Sequence, residues 1–484
     1  MAFISQLAGY WFLLTFGIIM ILLTYFFAKL KKSNSKEDFL VAGRNVNWFF
    51  GGASIAASWI WAPALFISVQ LAYEKGLAGI FWFTFPNIIA LLIFAFLAPV
   101  IRNKMPKGYT LPQYIKHRLQ SERAHKMYLF PYLFYQLMAV TVQIFAGGSL
   151  VYLLTGIPLI IIMPILLIIA LVYTYISGLK ASIITDFIQM SMIIVIGAII
   201  IPMTWLSAGG TSAISAGLGG LAGIETIFDP GVAFSLGIVT AIGLIAGAIS
   251  DQQYWQRAFA IKKNDLVKAF IFGAVLFGIV PIALSTLGFL GANPALGITL
   301  PAGVDTSMIG IQTVVTLLPS WAVFLFVVML LSGISSTLDS GLCAASSLWV
   351  TDIAKSKDDA KAIKSARNAM FGISVIGLFI ALAVVYIPQF GLFHLWWIFN
   401  TIAACIAVPT VLSLYWSRLS AKGVLWGVIT AFIIGLPLFI YGNFINNEVM
   451  IVGSTLFIIF ISTLFCLVMP RKTSWKEEPL KISV

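Results

Sequence analysis

The 484-residue sequence predicts an all-α, polytopic membrane protein with about 13 transmembrane helices, on three observations. First, apolar runs alternate with short polar joints, and a helix needs about 20 apolar residues to cross about 30 Å of hydrocarbon. Second, 28 of the 29 lysines and arginines fall in alternate joints, at 29–44, 102–126, 180, 257–268, 355–367, 418–422 and 471–481, with only Lys75 outside them. Basic residues collect in cytoplasmic loops, so one pattern sets both spans and orientation. Third, two runs five apart are interrupted in mid-span, one by Pro63 and one by Gly243, Gly247 and the polar run Ser250-Asp251-Gln252-Gln253.

Composition agrees. Hydrophobic residues make up 60% and charged residues 10%, against about 25% charged in soluble domains, and the mean hydropathy is +1.02. The net charge of +12 would suggest a polyanion partner in a soluble protein. Here topology accounts for it, so no nucleic acid is implied, and membrane lipid head groups are the partners these basic joints can meet.

The elements follow in order. The run at 9–30 is too long for a signal-peptide core and lacks a small-residue cleavage site, so it reads as an extra N-terminal helix. Spans 46–73, 78–102, 126–154, 157–177 and 181–207 form a first five-helix repeat over 46–207. Spans 232–250, 267–291, 319–352, 369–389 and 393–416 form a second over 232–416. Two C-terminal helices, 423–442 and 448–469, complete a single transmembrane domain over 1–484. Lipid offers the backbone no hydrogen-bond partner, so each crossing must be helical. An odd count puts the N-terminus outside and the C-terminus in the cytoplasm, and a single short chain with a minimal tail suits a bacterial inner membrane. The oligomeric state is left open.

Within the second span, Ala57-Ser58-Trp59-Ile60-Trp61-Ala62-Pro63 puts a proline in mid-membrane, freeing backbone oxygens near positions 59 and 60. Paired broken helices at corresponding places in two halves mark inverted-repeat transporters with midplane sites; alone, each break is equally well a packing kink. The ninth span carries Leu331-Ser332-Gly333-Ile334-Ser335-Ser336-Thr337-Leu338-Asp339-Ser340. Serines can pack small against a neighbouring helix, but a carboxylate at mid-helix costs about 2.5–3.5 kcal/mol on insertion scales. Asp339 therefore calls for a cation, a proton or a water-filled cavity, and adjacent hydroxyls with freed carbonyls suit the hard cation Na⁺. Asp186, one turn inside the sixth span, is either paired to Lys180 or a staging carboxylate on a cation path.

Three stretches resemble the sodium:solute symporter family, which shares a leucine-transporter-like five-plus-five core. They are Ser177 to Gln189, the Ser336-Thr337 pair with Ser346, Ser347 and Asp352, and Asp251 to Arg257 leading into Ala258-Phe259-Ala260; Gly43-Arg44 also looks like the family's. The resemblance implies a secondary active symporter with Na⁺ as coupling ion. It implies a Na⁺ site of Ala57, Ile60 and Gly333 carbonyls with Ser336 and Thr337 hydroxyls. It also implies a second cation or proton site at Asp186, Asp339 and Ser340, where Asp339 departs from the family's hydroxyl. Proton coupling through Asp186 and Asp339 is the alternative.

For the solute, sugar-carrying members place an aromatic gate where this chain has Gly247 and Ala248, which disfavours a stacked pyranose. Ser58-Trp59-Ile60-Trp61-Ala62 and Asp251 to Arg257 are similar to the urea-active branch. Trp59 and Trp61, with Gln143, Trp397 and Asn400 as wall residues, are the expected solute contacts; packing or an interfacial belt is the other reading of the tryptophans. No basic side chain is expected in the midplane, which favours a small neutral polar solute over a carboxylate. A channel would need a continuous polar pore rather than one hydroxyl cluster. An enzyme is excluded by chemistry: His117, His125 and His394 are scattered without metal-ligand spacing, no nucleophile–base pair is evident, and Cys343, Cys405 and Cys466 support neither a zinc site nor a disulfide framework.

Overall fold

A computed structural model of the chain describes residues 3–30, 35–387 and 391–475. Lys31, Lys32, Lys476 and Lys481 of the basic joints, and the end of the span expected at 369–389, lie outside the described residues. Among the described residues the chain is helical without a strand, save one isolated parallel bridge between Val46 and Ile261.

Among the described residues, twelve helices are long and apolar enough to cross a membrane. The thirteenth expected span, 46–73, is not a single helix. It is split between α3 (Trp48–Trp59), α4 (Ala62–Leu65) and the start of α5 (Ile67–Lys104), and α5 itself turns sharply at Gly76, where φ is 61°. Before these lie α1 (Gln6–Leu30) and the short α2 (Lys36–Val41). The chain continues through α6 (Leu111–Leu119), α7 (Glu122–Thr155), α8 (Leu159–Ser177) and α9 (Leu179–Ala208). In the second half come α10 (Pro230–Ser250), α11 (Gln252–Ala260), α12 (Leu266–Ala292) and α13 (Ile309–Leu317). Then follow α14 (Ser320–Leu348), α15 (Asp359–Val385), α16 (Leu392–Tyr415), α17 (Ala421–Phe444) and α18 (Glu448–Val468).

Both breaks have a local cause. Ile60 leaves the helical region at ψ 66°, and Pro63 restarts the chain within the first turn of α4, where its missing N–H costs nothing. Asp251, extended at ψ 116°, ends α10 and caps α11 by accepting from the Gln253 N–H at 2.8 Å. The halves pack as two groups: α12 against α3 and α5, and α14 and α15 against α7 and α8, with α9 and α16 bridging them. Helix α14 is buried without interruption from Met329 to Leu348, so it runs through the middle of the protein. By contrast α1 and α15 leave Leu7, Trp11 and Phe379 exposed, as lipid-facing sides should be.

On the face carrying the basic joints, the entry to α3 is pinned to the end of α11. Val46 donates to the Ala260 carbonyl at 3.2 Å and accepts from Lys262 at 2.8 Å, while Arg44 reaches the Gly108 carbonyl at 2.7 Å.

Candidate functional site

Where α3 stops, its last carbonyl is handed to α14. The Thr337 hydroxyl donates to the Ile60 carbonyl at 3.1 Å. An ideal Cβ on Gly333, one turn earlier on α14, would lie 2.9 Å from Leu65 Cδ1 and 3.3 Å from Ile60 Cγ2, so side chains from both sides of the break pack onto this glycine. The Ala57 carbonyl sits one turn before the break and takes only a 3.3 Å bond from the Ile60 N–H. Of the five oxygens expected for Na⁺, those of Ile60 and Thr337 are in direct contact. The donor set is all neutral oxygen, which fits a hard monovalent cation as cargo. Ser336 turns the other way: its hydroxyl donates to Asp186 Oδ1 at 2.5 Å.

Asp186 is the centre of a buried polar hub. Its Oδ2 accepts from Ser54 at 2.5 Å and from Arg257 at 2.9 Å, and neither Asp186 nor Arg257 has any exposed surface. The guanidinium also donates to Ser54 at 2.9 Å, to Ser340 at 2.7 Å and to the Gln253 carbonyl at 3.1 Å. Two expectations are corrected by this. Lys180 does not pair with Asp186; it lies 3.4 Å from Asp38 instead. Nor is the interior free of basic side chains, because Arg257 begins on a basic joint and reaches inward along α11. Asp339 is fully buried and takes hydrogen bonds from Ser182 at 2.5 Å, Thr185 at 3.2 Å and Ser340 at 3.4 Å. Ser340 therefore touches both Arg257 and Asp339, and the predicted trio of Asp186, Asp339 and Ser340 does form one cluster.

The two tryptophans lie on either side of the break. Trp61 stacks on Phe399 with centroids 5.2 Å apart, and Trp59 meets Tyr254 edge-on at 5.0 Å. With Asn87, Tyr135, Leu244 and Asn400 among the other lining residues, they border a cavity of about 20 Å³, room for roughly one water. That is far below the roughly 300–1,000 Å³ of open ligand pockets, so the walls nearly fill the space between them. Both indole N–H groups, on Trp59 and Trp61, are buried without a partner. Asn400 accepts from the Tyr135 hydroxyl at 3.3 Å and donates to the Trp396 carbonyl at 2.9 Å.

Not every expected wall residue belongs here. Trp397 faces away from the void, against Phe393 and Phe439. Gln143 braces the break: its Oε1 accepts from the Ala62 N–H at 3.0 Å, satisfying one of the orphan donors at the start of α4. Asn87 and Tyr135 were missed, although Asn87 is a polar residue inside an otherwise apolar run and carried a signal of the kind that revealed Asp339.

Four likenesses bear on this site. A sequence profile described as the sodium:solute symporter family matches residues 39–431. A urea-proton symporter, DUR3, of Oryza sativa subsp. japonica is 24% identical over 486 residues, covering 90% of this chain and 66% of that protein. A sodium/glucose cotransporter of Vibrio parahaemolyticus is 25% identical over 435 residues, covering 82% of this chain and 78% of that one. The chain thus spans slightly under two thirds of the length of the rice protein. In fold it is similar to the solved structure of a Na⁺-coupled sialic acid symporter, with a TM-score of 0.78 at 19% identity, covering 96% of this chain and 99% of that one.

Proposed function

Because this chain belongs to the sodium:solute symporter family, we propose that its secondary active symport carries a small neutral amide of the urea kind, driven by Na⁺ moving down its gradient. The contact between the Ile60 carbonyl and the Thr337 hydroxyl carries the ion assignment. It brings a freed main-chain oxygen of one broken helix to a hydroxyl of the long buried helix α14, two of the five oxygens expected around a dehydrated Na⁺.

The solute assignment rests on the void between Trp59 and Trp61. Two unpaired indole N–H groups ask for an acceptor such as a carbonyl oxygen, and the aromatic walls suit a flat molecule. Gly247 supports the same reading. An ideal Cβ there would lie 2.3 Å from Asn400 Oδ1 and 2.8 Å from the Tyr135 hydroxyl, so no aromatic gate fits. The urea relatives are consistent with it.

In this reading the basic face is cytoplasmic, with the N-terminus outside and the C-terminus inside. Transport proceeds by rocking α3, α4, α5, α10, α11 and α12 against the scaffold of α7, α8, α14 and α15. Na⁺ bound between Ile60 and Thr337 holds the two groups together across the break.

A second reading is favoured by one observation: Asp186 and Asp339 are both buried, and Arg257 supplies a single positive charge between them. An uncompensated buried charge is costly, so Asp339 is the group on which a coupling proton would ride. Urea uptake into proteoliposomes tests both readings. In the Ser336→Ala/Thr337→Ala variant, Na⁺ stimulation should vanish, and uptake still stimulated by Na⁺ as in the wild type refutes the sodium site. Uptake that follows pH at fixed Na⁺ but ignores Na⁺ at fixed pH selects the proton at Asp339.

A further inference from the structure

One turn beyond Gly247 toward the basic face lies a polar cluster that the proposed solute pocket does not use. Asp251 Oδ1 is satisfied by Gln136 Nε2 at 3.0 Å and by the Gln253 N–H at 2.8 Å. Its other oxygen, Oδ2, has no partner, and neither does Gln136 Oε1 nor either end of the Gln253 amide. All three side chains are fully buried. Buried polar groups are nearly always hydrogen-bonded, so a concentration of unmade bonds at one place points to a ligand.

The three side chains lie together beside α14. An ideal Cβ on Gly341 would lie 3.1 Å from Ala139 Cβ, 3.9 Å from the Gln136 main-chain carbonyl and 4.0 Å from Gln253 Nε2. A side chain at 341 would therefore crowd this cluster. Leu244, which lines the solute pocket, lies on α10 seven residues before Asp251, about 10 Å away at 1.5 Å per residue. Tyr254, next to Gln253, packs edge-on against Trp59, which lines that pocket.

The unmade bonds also describe the ligand. Three acceptor oxygens (Asp251 Oδ2, Gln136 Oε1, Gln253 Oε1) stand against one donor group, the Gln253 NH₂. The complement is a molecule with more N–H donors than acceptors. A cation is disfavoured because the positive Arg257 guanidinium is already here, donating to the main-chain carbonyl of Gln253 at 3.1 Å. We propose that Gln136, Asp251 and Gln253, around Gly341, form a second solute site for a neutral diamide such as urea, occupied between the tryptophan pocket and the cytoplasm. This rests on the reading of the chain as a carrier of such an amide. Through Arg257 the second site shares its hub with Asp186, so loading of the coupling site and passage of the solute act on the same guanidinium.

Equilibrium binding of ¹⁴C-urea to the purified full-length protein in Na⁺ tests the proposal, alongside urea efflux from preloaded proteoliposomes. Two urea molecules should bind per chain in the wild type and one in Gln253→Leu, with efflux in the variant slower by about tenfold. Gly341→Ala, a smaller change that crowds the cluster, should lose the same molecule. One urea per wild-type chain, or two retained in both variants, overturns the second site and leaves the orphan groups to ordered water. If wild-type vesicles accumulate no urea at all, the carrier assignment itself fails and this site falls with it. Accumulation with single-site binding refutes the second site alone.

Discussion

Arg257 is the residue on which the interior turns. A guanidinium with no exposed surface holds Asp186 at 2.9 Å, Ser54 at 2.9 Å and Ser340 at 2.7 Å, joining α3, α9, α11 and α14 at one point. Its planar fork serves several acceptors at once, which a lysine ammonium cannot reproduce. Removing one partner of a buried pair leaves the other charge stranded, at a cost of about 3–5 kcal/mol, whereas removing both is far cheaper. Arg257→Met should therefore lower the thermal midpoint in detergent markedly, and Arg257→Met/Asp186→Asn should recover much of the loss. A double variant no more stable than the single one would show that the pair is not the source of the effect. Asp186 was visible in the sequence as an acid inside a span, but its partner was not. Lys180 is six residues away and Arg257 seventy-one, and nothing local says which cation folds back.

At the scale of elements, the sequence was legible where backbone chemistry decides. Pro63 marked the break of α3 and α4 because a ring without an N–H takes a hydrogen bond out of a helix and sits most easily in a first turn, and the polar run at Ser250 to Gln253 marked the end of α10. What could not be read was rotation about a helix axis. Trp397 and Asn400 are one turn apart on α16, and only the neighbours decide that Asn400 lines the void and Trp397 does not. Nor was the role of Gln143 visible, since its target, the Ala62 N–H, exists only once the break has formed. The close approach of α10 and α16 sets up an opposition of known sign. Gly247→Ala gains about 1 kcal/mol of helix propensity, but its Cβ would lie 2.3 Å from Asn400 Oδ1. Overpacking costs about 1–3 kcal/mol, so the clash wins and Asn400 must move. The Michaelis constant for solute should rise by about tenfold, and an unchanged constant would remove Asn400 from the solute wall.

At the scale of the whole molecule, α11 ties together the elements of the basic face. Gln252 donates to the Tyr109 carbonyl at 2.9 Å and to Ser347 at 3.3 Å, while Gln256 donates to the carbonyls of Leu40 at 2.7 Å and Cys343 at 3.3 Å. In the proposed cycle α11 belongs to the rocking group, and two of these bonds tie it to α14 of the scaffold, beside the Val46–Ile261 bridge. Opening of the basic face in that cycle has to break them. A net hydrogen bond is worth only about 0.5–1.5 kcal/mol, so losing the two made by Gln256 moves the open–closed ratio by roughly tenfold. The chain carries its own reporter, because Cys343 lies on α14 under Gln256 and is 1% exposed. With Cys405 and Cys466 replaced by serine, a membrane-permeant maleimide should label Cys343 slowly in the parent protein. In Gln256→Ala it should label Cys343 about tenfold faster, and saturating Na⁺ should slow both by favouring contact between α4 and α14. Equal labelling rates with and without Gln256 would mean that α11 is no part of the gate, and that the basic face opens along another seam.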